Sequence, residues 1–120
     1  MAGPKLKIRS KVWLENEAGE VVFGLGRMKI LEAVQRLGSI HAAGKELNIG
    51  YRAIWARIKA TEDRLGEPLL IKKIGGATGG GSTLTSLAEE LVTEYGKVQK
   101  TIADKTDAQF EKRLGMHLDL

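Results

Sequence analysis

"SIHAAGKELNIGYRAIWARIKA", running from Ser39 to Ala60, holds two helical patterns with only Asn48, Ile49 and Gly50 between them. Ser39 is a residue type that caps helices, and Ile40, Ala43 and Leu47 follow it as one short apolar stripe. Beyond the gap, Ile54, Ile58, Thr61 and Leu65 recur at i, i+4, i+7 and i+11 until Gly66 and Pro68 end the pattern. A three-residue connection makes the helices cross steeply instead of lying side by side, which is the helix-turn-helix arrangement. The turn requires one residue in the left-handed conformation, and Asn48 tolerates it better than any residue except glycine. Small side chains at Ala42, Ala43 and Gly44 let the second helix come close.

Outward from this stretch the chain is equally segmented. "LKIRSKVWLENEAGEVVFG" alternates apolar and polar residues at Leu6, Ile8, Val12 and Leu14, breaks at Asn16 to Gly19, and resumes at Val21, which predicts a β-hairpin. "GRMKILEAVQRLG" places Ile30, Leu31, Val34 and Leu37 at helical spacing and stops at Gly38. After the central helices, "PLLIKKIGGATGGGSTLTS" reads as a strand, a glycine-rich tip from Gly75 to Ser82, and a returning strand. Ser86 and Glu89 form a capping-box pattern opening a last helix, with Leu87, Leu91, Tyr95, Val98 and Ile102 on one face. That helix is expected to run to about Arg113, longer than so small a core needs, and to pack against a copy of itself.

The expected architecture is therefore α+β, one domain over residues 1–120: a winged helix-turn-helix with an N-terminal β-hairpin and a long C-terminal dimerisation helix. Its parts are a helical core at 26–66 with the helix-turn-helix at 39–65, a wing at 69–85 and the dimerisation helix at 86–113.

Composition narrows the function classes. Apolar residues make up 42% and charged residues 28%, the balance of a folded domain. No apolar run approaches the roughly 18 residues of a membrane span, and "MAGPKLKIRS" lacks the apolar core of a signal peptide, so a cytoplasmic chain without membrane partners is expected. The absence of cysteine removes disulfides, thiolate metal sites and cysteine nucleophiles. His41 and His117 lie in unrelated segments without a partner at metal spacing, so neither an enzyme, a metal site nor a cofactor is expected. The net charge of +4 is unevenly spread: Arg27 to Lys73 carries ten basic against five acidic residues, whereas Ser86 to Leu120 carries five against seven. A polyanion-binding centre explains this distribution, and so do ordinary solvated helix faces.

In a helix-turn-helix the second helix enters the major groove and the first crosses the backbone. Tyr51, Arg52, Trp55, Arg57 and Lys59 are then the candidates to meet double-stranded DNA. Arg52 leads for a base contact, since a guanidinium donates twice to guanine O6 and N7. Lys59 and Arg57 suit phosphates, which fix affinity without reading sequence. Trp55 suits either a core edge or a stacked base; Ser39 and His41, at the start of the first helix, lie where a phosphate would run, and a plain solvated histidine is the alternative for His41. In the wing, Lys72, Lys73, Gly75, Gly76, Ser82 and Thr83 are candidate backbone contacts. The glycine run is no nucleotide loop: Ser82 follows Gly81 without the intervening lysine, and the context is strand to strand.

With those residues in place, "VWLENEAGEVVFGLGRMKILEAVQRLGSIHAAGKELNIGYRAIWARI" followed by "GGATGGGSTLT" resembles the N-terminal winged-helix domain of the ModE family of molybdate-responsive transcription regulators. The similarity runs from about Lys7 to about Val98, and a looser one extends to LysR-type regulators. Its more specific features are Tyr51 and Trp55 with Arg52 between, and the glycine-rich wing followed by Leu84 and Thr85. The resemblance implies operator recognition by the helix from Tyr51, a backbone-contacting wing from Gly75 to Thr83, and a homodimer joined through the last helix. Gly50 stands where the family often has a capping serine, and Ala77 where a basic residue is sometimes found. Family members also carry C-terminal molybdate-binding domains, which this sequence does not show, so the chain is expected to rely on a separate effector-sensing protein, to respond to something else, or to bind DNA constitutively. The expected function is a sequence-specific transcription regulator of molybdenum-related or similar genes; the alternatives are a winged-helix protein-interaction module, a non-specific DNA-binding protein and, from the family's theme, a small oxyanion-binding protein.

Overall fold

The computed structural model describes residues 5–73 and 81–115. A short antiparallel hairpin, β1 (Leu14–Glu15) and β2 (Val21–Phe23), leads into α1 (Leu25–Leu37), α2 (Ile40–Leu47) and α3 (Tyr51–Leu65). A second hairpin, β3 (Leu70–Lys73) and β4 (Gly81–Leu84), precedes α4 (Ser86–Phe110), whose axis continues through a π-type turn at Glu111–Gly115.

The first hairpin forms where Asn16 and Gly19 close the turn, with Gly19 N–H on the Asn16 carbonyl at 3.0 Å and Glu20 N–H on Asn16 Oδ1 at 2.9 Å. The strand expected through Leu6, Ile8 and Val12 is not there: β1 begins at Leu14, opposite Phe23. β2 has only three residues before the chain turns into α1, so nothing upstream of Leu14 finds a backbone to pair with. What holds that segment instead is a side chain, the Tyr95 hydroxyl donating to the Val12 carbonyl at 2.7 Å.

α1 ends at Gly38, whose φ of 81° only glycine adopts readily and whose N–H reaches the Val34 carbonyl. Ser39 then caps α2, its Oγ accepting the Ala42 N–H at 3.0 Å. Asn48 is the one non-glycine residue with positive φ among the described residues, at 55°, so the left-handed turn falls where the sequence places it. Ile49 N–H donates to the Gly44 carbonyl at 2.9 Å, and a Cβ on Gly44 would stand 2.8 Å from the Ile49 oxygen. That approach fixes the crossing of α2 and α3.

Ile54 and Ile58 of α3 meet Ile30, Leu31 and Val34 of α1 in the core, under Phe23 and Leu69. Thr61, fully buried, donates its hydroxyl to the Val22 carbonyl at 2.6 Å, which ties α3 to the first hairpin. Tyr95 closes the core from α4: it is 5% exposed and meets Phe23 edge-on with ring centroids 5.3 Å apart. Its ring and hydroxyl are engaged within its own chain, while it still lines the apolar groove along α4.

The second hairpin pairs Leu70 with Leu84, Ile71 with Thr83, Lys72 with Ser82 and Lys73 with Gly81. Gly75, Gly76 and Ala77 lie outside the described residues. The start of the last helix moves upstream by one residue. Thr85, not Ser86, is the cap: its Oγ1 accepts the Ala88 N–H at 3.2 Å and donates to the Pro68 carbonyl at 2.9 Å, while its N–H reaches Leu69 O at 3.0 Å. Those strand-side bonds hold Thr85 extended, so the helix starts after it and the Ser86–Glu89 capping box does not form.

The helix-turn-helix crossing is open to a direct test. Gly44→Ala forces the turn apart or displaces Ile54 and should cost about 1–3 kcal/mol, read as a lower urea midpoint at unchanged m-value. A midpoint equal to that of the parent protein would show that the Gly44–Ile49 approach does not constrain the fold.

Candidate nucleic-acid interface

α3 divides its residues by side. Ile54, Ile58 and Thr61 face the core, while Arg52 and Lys59, two turns apart, share the exposed side. Tyr51, at the first position of α3, is 49% exposed. Gly50 precedes it with no side-chain cap, so the first N–H groups of α3 are left for solvent or a ligand, as the missing capping serine implies. Lys59 Nζ lies 3.2 Å from the Asp63 carboxylate in an exposed i,i+4 pair, a contact weak enough to be exchanged for a phosphate. His41 is exposed on the first turn of α2, and Ser39, half-buried, keeps its hydroxyl proton after accepting the capping bond.

Trp55 and Lys72 meet each other. The ammonium of Lys72 sits 4.5 Å from the centroid of the half-buried Trp55 ring, a cation–π contact between α3 and the second hairpin. Trp55 thus packs at the edge of the core, and Lys72 lies on the inner face of the wing with Leu70 and Leu84. Ser82, directly opposite Lys72, is 6% exposed, and its N–H donates to the Gly38 carbonyl at 2.8 Å. Its expected role as a phosphate contact is corrected: the register turns its side chain inward and its amide binds the α1–α2 corner. Lys73 and Thr83 lie on the outer face with Ile71, where Lys73 is exposed and Thr83 partly so.

Arg57 separates from the rest. Five residues after Arg52, it lies about 140° round the helix, toward the first hairpin, and its carbonyl accepts Arg27 Nε at 3.4 Å. Arg27 attracts no notice in the sequence, because nothing local to "GLGRMK" announces a neighbour thirty residues away. Its guanidinium is held below the usual arginine range by partial burial and by the charges of Arg64 and Arg57.

Residues 25–89, more than half of the chain, match the family described as bacterial regulatory helix-turn-helix protein, lysR family. The chain belongs to that family. A crystal structure of the CbnR DNA-binding domain in complex with DNA matches it with a TM-score of 0.55 at 23% identity, covering 69% of this chain and 90% of that one. That likeness makes the architecture a winged helix. Among curated relatives, the molybdenum-pterin-binding protein MopB of Rhodobacter capsulatus is 37% identical over 93 residues, 78% of this chain and 34% of MopB. The transcriptional regulator ModE of Haemophilus influenzae is 35% identical over 75 residues, 62% of this chain and 29% of that protein. The molybdenum transport protein ModE of Azotobacter vinelandii is 38% identical over 69 residues, 58% of this chain and 26% of that protein. The resemblance to ModE read from the sequence therefore stands, and the chain spans about a third or less of the length of these relatives. Among the described residues, no helix is long and apolar enough to cross a membrane.

The Lys72–Trp55 contact should couple the wing to the recognition helix by about 0.5–1 kcal/mol. A double-mutant cycle on urea stability, with Lys72→Ala and Trp55→Leu singly and together, reads that coupling directly. A coupling near zero would show the two side chains to be neighbours without mutual stabilisation.

Proposed function

We propose that this LysR-type winged helix is a sequence-specific, DNA-binding transcription regulator, acting in the cytoplasm as a homodimer on molybdenum-related genes. The observation that carries the reading is the exposed side of α3, where Arg52 and Lys59 stand on a helix whose other side is locked into the core. In this reading Arg52 reads a base edge, Tyr51 approaches the groove beside it, and Lys59, Ser39, His41 and Lys73 engage phosphates. Gly75, Gly76 and Thr83 serve the wing's approach to the backbone. The molybdenum assignment rests on the names of the ModE and MopB relatives.

Fluorescence anisotropy with DNA from the chain's own upstream region and with scrambled DNA, across a salt series, tests this reading. Arg52→Ala should cost roughly 1–3 kcal/mol on the specific site and little on scrambled DNA. Equal losses on both would reassign Arg52 to the backbone. Binding without sequence preference would make the protein a non-specific DNA binder, and no salt-sensitive binding at all would favour a protein-interaction module.

The shape of the molecule supports the dimer. Its radius of gyration is 18.5 Å and its extents are 63 × 35 × 21 Å, against about 14 Å for a compact chain of this length. The excess is α4, whose buried residues, Ala88 and Tyr95, both lie in its first ten. Beyond them Val98 and Ile102 are 50% and 38% exposed, and Leu87 and Leu91, half-buried, join Val12, Leu14, Tyr95 and Val98 along a largely apolar groove that Glu90 and Glu94 border. A second copy of α4 is the occupant that fits: it brings the same apolar side and would set two recognition helices at a fixed spacing on DNA. Val98→Glu with Ile102→Glu should convert a dimer to monomer at micromolar concentration by sedimentation equilibrium, with specific DNA binding lost in parallel. A monomeric parent protein under the same conditions would refute the dimer.

A further inference from the structure

A second concentration of positive charge lies away from the exposed side of α3. Arg27 of α1, Arg57 of α3 and Lys11 line a cleft of about 480 Å³, bounded by Trp13 on one side and by Tyr95 and Gln99 of α4 on another. No aspartate or glutamate lines it. Among the described residues Arg36 pairs with Glu46, Lys59 with Asp63 and Lys100 with Asp104, whereas exposed cations such as Lys29, Lys45 and Arg52 make no ion pair. Arg64, the third guanidinium of this neighbourhood, is likewise paired, its Nε 3.4 Å from Glu20. Arg27 and Arg57 have no such partner among the described residues; the one bond between them is the long contact from Arg27 Nε to the Arg57 carbonyl.

Two guanidiniums and an ammonium around a partly apolar recess repel one another, and the recess weakens the screening that would make this cheap. An anion seated between them turns repulsion into attraction. The donor geometry selects its class: a guanidinium presents paired N–H groups that match the oxygens of a tetrahedral oxyanion. We propose that this cleft is a binding site for a small phosphate-class oxyanion, held by Arg27 and Arg57 with Lys11 at its edge. The walls from α4 and residues 10–13 leave room for a free anion or a compact phosphate ester, whereas a duplex backbone meets the exposed side of α3 about 140° away. Because the site joins α1, α3 and α4, its occupancy would stiffen the recognition helix against the dimerisation helix. The proposal stands on this cleft whether or not α3 reads DNA.

Isothermal titration of inorganic phosphate into the full chain at low ionic strength tests it. Saturable binding with one phosphate per chain is expected, at least ten-fold weaker in Arg27→Gln and in Arg57→Gln. It should be unchanged in Lys29→Gln, which removes a charge from α1 outside the cleft. Phosphate should also raise the Tm of the parent chain and of Arg27→Lys more than that of Arg27→Gln, with far-UV circular dichroism confirming that each variant is folded. Absence of saturable binding to the parent, or equal weakening by Lys29→Gln, would overturn the site. So would a drop of about one in the DNA salt slope for Arg27→Gln with no phosphate binding, since Arg27 would then be a backbone contact.

Discussion

The bond from Ile49 N–H to the Gly44 carbonyl, made where a Cβ would stand 2.8 Å from the Ile49 oxygen, is the constraint on which the rest of the molecule depends. It brings the start of α3 against α2 with Asn48 in the left-handed conformation as the only corner. Once that crossing is set, Ile54 and Ile58 enter the core and Arg52 and Lys59 are turned out by helical period alone. The two sides of α3 are thus one fact: what the core takes determines what remains for a partner.

A second anchor acts at the α1–α2 corner. The Gly38 carbonyl accepts Ser82 N–H, so the returning strand of the wing is hung from the same corner that Ser39 caps. Thr85 repeats the device at the other end of that strand, binding Pro68 and Leu69 before it starts α4. Between these fixed points, Lys72 over Trp55 sets the wing against α3. The wing is therefore positioned by its inner face, which leaves the outer residues Ile71, Lys73 and Thr83, among those described, to meet anything else.

What the sequence made legible is what short-range chemistry decides. Asn48, Gly38, Ser39 and the Asn16–Gly19 turn each act within four residues of their partners, and each was readable from residue type and spacing. What it hid depends on partners far along the chain. The alternation at Leu6, Ile8 and Val12 signals a strand, but the three-residue length of β2 withholds the pairing. Tyr95 falls on the apolar stripe of α4 with Val98 and Ile102, yet Phe23 and Val12, more than seventy residues away, claim it. Ser82 looks like a polar tip residue until the register with Lys72 turns it inward.

Charge followed the same division. The excess of basic residues from Arg27 to Lys73 was visible in the sequence, but its partition into two surfaces was not. Helical period already separates Arg57 from Arg52 and Lys59. What it does not supply is Arg27, which α1 delivers to Arg57 because Ile30, Leu31 and Val34 of the same helix are fixed against α3 in the core. The positive cleft is thus a by-product of core packing that sets Arg27 and Arg57 on one recess lined by no carboxylate. An arrangement that costs electrostatic energy in the free protein and could be relieved by one salt partner, as Arg64 is by Glu20, is physically intelligible when the missing charge arrives from outside.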